Sequence, residues 1–508
     1  MKNFFKLQSF VIAILLAIGL SFGACVESDD DNDIDNDIDN DSDNDSDSNA
    51  KVTGVSISPS SATIAKGGYW VFTTTVNGTG NPAQTVEWSI NETDKAEGTT
   101  IDSSGKLIVA DNENLTTITI KAVSTADTSK SRTASITIVN NPAYTTQQDF
   151  EDITATELVS RIKVGWNLGN TFDATNFPSG LTSSVSYLET AWLGGESRVT
   201  TKALFDTLKN KGFNAVRIPV SWNKVIDADY HIRSDWMARV TEVVNYAVAN
   251  DMYILLNTHH DDNIFKLTDA YIEQSLIIFG KIWEQIAANF KNYDEKLIFE
   301  ALNEPRTEGS PNEWIGGSAE EHTNLNKYYQ LFVNTVRETG GNNDKRILQI
   351  NTYAASREQA AINGLAIPDD TAADKIIVSI HAYVPQRFAM AGDTTTWTAS
   401  SSTNQIDTVM NRAKTAFIDN GIPVIFGEFG AANKDNEESR ALYAKTYIEK
   451  AKAIGAPCFW WDNGGLAVNP NSLAGPGQPE NFDLIKRDTL EFPFPAIITA
   501  IMEGAGVE

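Results

Sequence analysis

The sequence predicts an α/β protein: a (β/α)8 barrel, or TIM barrel, that carries the functional site and is preceded by a smaller all-β domain. The chain has 508 residues, which is too long for one ordinary domain. Beyond Pro142, short apolar segments alternate with long amphipathic stretches, a pattern typical of a parallel α/β domain. Before that point, Thr, Ser, Val and Ile alternate between turn residues, which favours a β-sandwich.

Residues 1–24 have the features of a secretory signal peptide. Lys2 and Lys6 precede an apolar run, Phe10–Leu20, that is too short to span a bilayer. The sequence Phe-Gly-Ala-Cys25 resembles the lipobox of bacterial lipoproteins, in which the cysteine is lipidated. We therefore expect an exported protein, either an outer-membrane lipoprotein that faces outwards through a lipid on Cys25, or a secreted one.

The segment 25–50 is strongly acidic, with eleven Asp, one Glu and neither Lys nor Arg. It contributes a large part of the formal charge of −27 and predicts a solvated, self-repelling linker. The rest of the chain is only mildly acidic, which disfavours nucleic acid as a partner because phosphate binding needs a positive surface. A neutral substrate fits this composition better, and we expect membrane contact only through the N-terminal lipid.

Residues 51–140 are predicted to form the all-β domain. Alternating segments such as Val86–Ile90 are separated by Gly and Asn/Asp turn signals. The sequences Val55-Ser-Ile-Ser-Pro59 and Gly105-Lys-Leu107 resemble bacterial Ig-like domains of group 2. We expect this domain to be a spacer, with glycan binding through Trp70 or Trp88 as the alternative.

The remaining domain, residues 143–508, contains eight candidate strands, the number that a (β/α)8 barrel requires. They are Lys163–Leu168, Ala215–Pro219, Tyr253–Asn257, Leu297–Ala301, Ile347–Ile350, Ile376–Ile380, Val424–Phe426 and Cys458–Trp460.

Each candidate strand has a polar or aromatic residue at or just beyond its C-terminal end. In a barrel these ends form one rim, which is where the active site of such enzymes lies. One residue of this kind could arise by chance, but one for each strand indicates a shared site. The eight residues are Asn170, Arg217, His259, Glu304, Asn351, His381, Glu428 and Trp461.

The predicted rim combines two carboxylates with cationic and aromatic groups, and the sequence has neither a phosphate-binding Gly-rich loop nor a His-Glu-x-x-His helix. Glycoside hydrolysis uses one carboxylic acid to protonate the leaving oxygen and a second carboxylate to attack or to activate water. Tryptophan rings offer flat apolar surfaces for sugar rings. The chemistry therefore favours a glycosidase.

Two segments, Leu297-Ile-Phe-Glu-Ala-Leu-Asn-Glu304-Pro305 and Ile425-Phe-Gly-Glu428-Phe-Gly430, resemble glycoside hydrolase family 5. Similar motifs occur in order across the domain from about residue 150 to 505. They are Gly165-Trp-Asn-Leu-Gly-Asn170, Phe213-Asn-Ala-Val-Arg217, Leu256-Asn-Thr-His259-His260-Asp261, Ser379-Ile-His381-Ala-Tyr383 and Phe459-Trp-Trp461.

The resemblance implies that Glu304 is the acid/base and Glu428 the nucleophile. We expect the pKa of Glu304 to be raised so that it starts protonated, and a carboxyl separation of about 5–5.5 Å would give retention of anomeric configuration. The other implied roles are Asn303 at the sugar 2-hydroxyl, Arg217 and Tyr383 on Glu428, His259 and His381 beside the cleaved bond, and Trp461 under the sugar.

Further substrate contacts are predicted at Asn170, Asp173, Trp192 and Trp222. Glu300 lies inside a strand and is predicted to be a structural acid, and Trp166 and Trp460 are assigned to the core by strand alternation. His259 and His260 could suggest zinc, but neighbouring strand residues point to opposite faces. We therefore expect no metal and no cofactor.

These observations predict a retaining endo-β-1,4-glucanase, and we expect a monomer. Xyloglucan, mixed-linkage glucan (lichenase activity) and xylan remain alternative substrates, because the motifs resemble a subfamily that includes hydrolases of all three. The segment Glu189-Thr-Ala-Trp192 resembles that subfamily but continues as Leu-Gly-Gly where Gly-Asn-Pro is usual, which leaves the substrate preference open. A non-catalytic surface glycan-binding protein and a structural display protein are alternatives of another class. Both acids are present, which disfavours the first, and the rim residues would be unexplained by the second.

Overall fold

A computed structural model describes residues 50–175, 177, 180–398, 403–465 and 480–507. The predicted signal peptide, the acidic linker and Cys25 lie outside the described residues.

The N-terminal region consists of nine strands in three sheets. Strand β1 pairs with β4, the second sheet has the order β2-β9-β8-β5, and the third has the order β3-β7-β6. The strands are β1 Lys51–Ser58, β2 Ser61–Ala65, β3 Tyr69–Val71, β4 Thr73–Thr79, β5 Val86–Ile90, β6 Thr100–Ile101, β7 Lys106–Ile108, β8 Thr117–Ser124 and β9 Ser131–Val139.

Alternating side chains of these strands build an apolar core. In β8 every second residue from Ile118 to Ser124 is fully buried, as expected of a sheet with one face turned inwards. Trp70 belongs to this core and Trp88 packs against it. An all-β region is therefore present between Lys51 and Val139, whereas its Ig-like classification stays a prediction.

This region contacts the barrel that follows it. The Ala65 backbone N–H donates to the Ser234 hydroxyl at 2.9 Å, and the Tyr69 and His231 rings pack edge to face with centroids 4.7 Å apart. Leu181, from the barrel, packs against the apolar core of the β region. The two parts are thus joined by side-chain packing as well as by the connecting chain.

Eight parallel strands close into the predicted barrel, each paired with the next and the last with the first. They are β10 Gly165–Leu168, β11 Ala215–Ile218, β12 Tyr253–Asn257, β13 Leu297–Glu300, β14 Leu348–Asn351, β15 Ile376–His381, β16 Val424–Phe429 and β17 Cys458–Asp462. All eight candidate strands of the sequence are confirmed, and the main difference is that β16 continues through Glu428.

The helices of the described residues surround the barrel, and none is long and apolar enough to cross a bilayer. They are α1 Ala155–Arg161, α2 Val185–Glu189, α3 Lys202–Asn210, α4 Ser234–Val248, α5 Ile272–Phe290, α6 Ala319–Glu338, α7 Gln359–Gly364, α8 Gln386–Ala389, α9 Asn404–Ala416, α10 Glu437–Ala453 and α11 Pro495–Ala505. Short 3-10 turns occur at Glu196–Arg198, Gly341–Asp344, Tyr353–Ala355 and Ile418–Asn420.

The barrel interior has an apolar lower layer and a polar upper layer. At the amino ends of the strands, Leu158 and Val159 of α1 pack against inward-facing residues such as Leu255 and Ile298. Two residues further along their strands, Asn257 and Glu300 point to the same interior. Strand alternation therefore places polar groups just beneath the rim, where they can hold the functional side chains.

Candidate active site

Glu304 and Glu428 lie side by side at the carboxyl-terminal rim. His381 sits between them, with Nδ1 3.0 Å from Glu304 Oε1 and 3.7 Å from Glu428 Oε2. One oxygen of each carboxylate and one ring nitrogen all lie within 4.8 Å of one another. Such closeness matches the separation of about 5–5.5 Å found in retaining glycosidases rather than the longer one of inverting enzymes.

Glu428 is held by a donor on each of its oxygens. Arg217 Nη1 donates to Oε1 at 2.8 Å, and the Tyr383 hydroxyl donates to Oε2 at 2.9 Å. Burial, followed by the charge of Glu428, raises the pKa of Tyr383 well above its usual value, so the phenol keeps its proton. The carboxylate therefore has a fixed orientation, as a nucleophile requires.

All N–H groups of the buried Arg217 guanidinium are used. Besides Glu428, it donates twice to Glu300, at 2.6 and 2.8 Å, and once each to Asn303 Oδ1 and Asn167 Oδ1. Burial alone would lower the pKa of Arg217, but the charges of Glu300 and Glu428 outweigh it and raise the pKa above the usual value. Arg217 is therefore a permanent cation that cannot swing towards solvent.

Glu300 has a larger part in the site than the sequence indicated. Its side chain has no exposed surface, forms the two-bond ion pair with Arg217, and accepts from Asn351 Nδ2 at 2.9 Å. It touches no position open to substrate, in keeping with a structural acid. Its effect is to fix the arginine that in turn fixes Glu428, and the signal in the sequence was its inward-facing position two residues after Ile298 in β13.

Glu304 differs from Glu428 in its hydrogen bond to a histidine and in its greater exposure, with 21% of its side chain accessible. Burial raises the pKa of its carboxyl, but the hydrogen bond and charge of His381, together with Arg306, lower it below the usual value. The expectation of a raised pKa is therefore wrong for the free enzyme. The contact of 3.0 Å allows one proton to be shared between the Glu304 carboxyl and the His381 ring.

A row of four rings extends from the two carboxylates along the rim. The Trp461 and His259 rings are nearly parallel, 3° apart, with centroids separated by 5.7 Å. His259 contacts His260 with centroids 4.4 Å apart, and His260 contacts Trp192 at 5.7 Å. Trp461 and Trp192 are half-buried, so each has a face available to a ligand.

The sequence predicts that His259 and His260 point to opposite faces, but in the structure their rings lie side by side. Strand β12 ends at Asn257, so the alternation of a strand no longer governs residues 259 and 260. Burial lowers the pKa of His259 well below its usual value and that of His260 to about 4. Both rings are therefore neutral near pH 7 and offer lone pairs and N–H groups to hydroxyl groups.

Asp173 lies beside these histidines and is fully buried. Its carboxylate accepts the backbone N–H groups of Asn170 at 3.0 Å and Thr171 at 2.6 Å, and Asn170 adopts a left-handed φ of 57°. Burial raises the pKa of Asp173 to about 7. Asp173, His259 and His260 offer one ligand atom each within 4.8 Å, so a cation could fit there, and the absence of a metal stays a prediction.

Trp222 corrects one predicted substrate contact. Its side chain is completely buried in the main apolar core, and its indole N–H donates to the Asn257 carbonyl at 3.1 Å. Its own backbone N–H donates to Asp261, which also accepts from Asn223. The tryptophan therefore supports the loop after β11 from below and presents no face to substrate.

Arg306 is a site residue that the sequence did not reveal. It follows Glu304 by two positions and donates to the Glu304 carbonyl at 3.0 Å, and its Nη1 lies 3.9 Å from the Glu304 carboxylate. Its guanidinium also lies over the Trp314 ring. An arginine in a loop has no pattern of its own in the sequence, so only the folded geometry shows these contacts.

A closed parallel barrel with two neighbouring carboxylates at its carboxyl-terminal rim, one fixed by a cation and one paired with a histidine, defines a glycosidase of the (β/α)8 class. The model of the cellulase family, glycosyl hydrolase family 5, matches residues 172–466. The chain therefore belongs to glycosyl hydrolase family 5 and is a glycoside hydrolase.

Known relatives extend this similarity over the barrel. Cellulase/esterase CelE of Acetivibrio thermocellus is 43% identical over 70% of this chain, which spans 41% of that protein. A broad-specificity GH5-4 endoglucanase of Ruminococcus champanellensis with bound cellotriose is 43% identical, with a TM-score of 0.65 over 70% of this chain and 100% of that one. A family 5 lichenase of Caldicellulosiruptor sp. F32 with cellotetraose is 38% identical, with a TM-score of 0.64 over 72% and 100%.

Proposed function

We propose that this enzyme is a retaining endo-β-1,4-glucanase that hydrolyses internal bonds of plant β-glucans outside the cell. The observation that carries the proposal is the short distance between Glu304 and Glu428, bridged by His381. The solved relative with bound cellotriose supports a chain of β-1,4-linked glucose as substrate.

In the first step, Glu428 attacks the anomeric carbon while the proton of the Glu304–His381 pair passes to the glycosidic oxygen. The bond to the leaving sugar breaks, and Glu428 becomes a neutral ester. Arg217 stays charged throughout, and its bonds to Glu300 and Asn303 keep it in place as the charge of Glu428 disappears.

In the second step, Glu304 takes a proton from water as the water oxygen attacks the same anomeric carbon. The ester bond breaks, Glu428 regains its charge, and the product has the starting anomeric configuration. Water can reach Glu304 because its side chain is partly exposed, whereas only 7% of the Glu428 side chain is accessible.

The test is hydrolysis by the full chain of carboxymethylcellulose, mixed-linkage glucan, xyloglucan, xylan and mannan, with the product anomer followed by NMR. We expect β-configured products from a glucan. In Glu428→Ala, activity should fall on the order of 10^5-fold, the scale on which hydrolases lose activity with their nucleophile. Inverted products, or no release from any glucan by the wild type, would contradict the proposal.

Mixed-linkage glucan is the second candidate substrate, supported by the likeness to a lichenase over 72% of the chain. Comparing kcat/KM on mixed-linkage glucan with that on carboxymethylcellulose decides between the two. Xyloglucan and xylan are distinguished in the same panel.

For the N-terminal part we propose an Ig-like spacer on an exported, lipid-anchored protein. Burial of Trp70 and the packing of Trp88 against the core favour a spacer over a glycan-binding module, which needs exposed aromatic faces. Replacing Cys25 by Ala should move the enzyme from the membrane fraction to the medium. Equal membrane association of both proteins would argue against the anchor.

A further inference from the structure

Trp314 is one of the most exposed large apolar side chains of the described residues, with 58% of its surface accessible. It lies in the loop between β13 and α6, ten residues after Glu304. Single exposed apolar side chains are normal on a protein surface, so exposure alone does not identify a binding residue. A ring that its neighbours hold in place is a stronger candidate. The surroundings of Trp314 meet that condition.

The Trp314 ring is supported from below by Arg306, whose guanidinium carbon lies 4.9 Å from the ring centroid. That guanidinium is itself fixed by carboxylates, with Glu308 and Glu313 at 3.2 Å and Asp262 at 3.6 Å. A planar guanidinium held in this way is a flat cationic support for an indole. The ring is thus held in place before any ligand binds, which lowers the entropy that binding would cost.

The same arginine links Trp314 to the acid/base. Arg306 Nη1 lies 3.9 Å from Glu304 Oε2, so the indole centroid is no more than about 10 Å from the Glu304 carboxylate once the guanidinium C–N bond is included. Glu304 gives its proton to the leaving oxygen, so a ring this close to Glu304 is within reach of the departing part of the chain.

We infer that Trp314, supported by Arg306, is a binding platform for a sugar ring on the leaving-group side of the cleaved bond. This inference rests on the proposed function and extends it to the part of the glucan released first. A ring stacked on Trp314 would hold the leaving sugar chain, while Glu304, two residues before Arg306, delivers the proton. Trp314 is a substrate-binding residue and Arg306 a positioning residue.

The test compares a substrate whose leaving group is a sugar chain with one whose leaving group contains no sugar. Cellohexaose places sugars on both sides of the cleaved bond, whereas dinitrophenyl β-cellobioside has an aryl leaving group and no leaving sugar. For Trp314→Ala we expect kcat/KM on cellohexaose to fall about tenfold, as lost aromatic stacking implies, and kcat/KM on the aryl cellobioside to stay within about twofold. Trp314→Phe should recover most of the loss.

Ile315→Ala is the matched control, since Ile315 is the next residue and is 65% exposed. The variant should leave kcat/KM unchanged on both substrates. Equal losses on the two substrates, or no loss on cellohexaose, would overturn the inference, and activity on the aryl substrate reports that the variant is folded. If the wild type hydrolyses neither substrate, the proposed function fails instead.

Discussion

The two carboxylates at the rim, Glu304 and Glu428, stand in opposite surroundings. Glu428 is bound to a permanent cation and a phenol that keeps its proton, whereas Glu304 is partly exposed and shares a close contact with a histidine. The first arrangement fixes the position of the carboxylate oxygens, and the second places a proton donor or acceptor beside a carboxyl that solvent can reach. The difference shows how neighbouring groups can prepare two identical residues for the two roles proposed above.

The largest expected effect comes from a substitution at Glu300, which removes one partner of the Arg217 guanidinium that holds Glu428. Glu300→Gln opposes an amide N–H to the Arg217 fork and removes a buried charge, so the free energy of unfolding should fall by about 3 kcal/mol. Activity should fall as well, because Arg217 loses the partner that holds it against Glu428. Denaturant unfolding and kcat measure the two effects.

Asp370→Asn is the matched control for Glu300. Asp370 forms a similar buried two-bond pair with Arg337, at 2.8 and 2.6 Å, on helix α6 away from the rim. It should cost stability but leave kcat of the folded fraction unchanged. If both variants lower kcat alike, Glu300 has no special tie to the site.

A smaller effect on activity is expected from His381→Gln, which removes the histidine that contacts Glu304. His381 lowers the pKa of Glu304 while burial raises it, so removing the histidine should move the Glu304 carboxyl titration to higher pH. Proton delivery loses its relay, and kcat should fall by about 100-fold, as for a missing acid/base partner. Carboxyl titration by isotope-edited NMR or infrared spectroscopy measures the shift.

Tyr383→Phe provides the contrast, because it removes a donor from Glu428 rather than from Glu304. It should reduce kcat without raising the pH at which Glu304 titrates. A Glu304 titration that stays in place in His381→Gln would show that the histidine does not set the proton state of the acid.

The smallest expected effect concerns Asp173, the buried carboxyl beside His259 and His260. Its pKa is about 7 in the folded protein, above that of an unfolded aspartate, so the folded state binds the proton more strongly. Its contribution to stability is thus present at low pH and is lost as pH rises from about 4 to 7. In Asp173→Asn, the free energy of unfolding should decline less over this window, and an unchanged pH profile would be contrary to this account.

The sequence was sufficient for the barrel and for the rim residues, because short buried strands and the residues that end them leave local patterns. The role of Glu300 cannot be predicted from a local pattern. It depends on Arg217, which lies 83 positions earlier in the chain and reaches the same interior layer. The lowered pKa of Glu304 likewise depends on a 3.0 Å contact with a residue 77 positions away.

Trp222 and His260 show a second limit. Both follow strand ends, where neither strand alternation nor helix periodicity governs the side-chain direction. The Trp222 side chain points into the core, where its indole N–H donates to the Asn257 carbonyl. The His260 ring packs against the His259 ring. Directions in such loops depend on hydrogen-bond partners that only the fold provides.

The way in which α1 closes the amino end of the barrel determines how a polymer can meet the enzyme. Leu158 and Val159 pack into the apolar lower layer, so the barrel has no passage from one end to the other. Substrate must therefore enter, and both fragments must depart, through the same open mouth at the carboxyl-terminal rim.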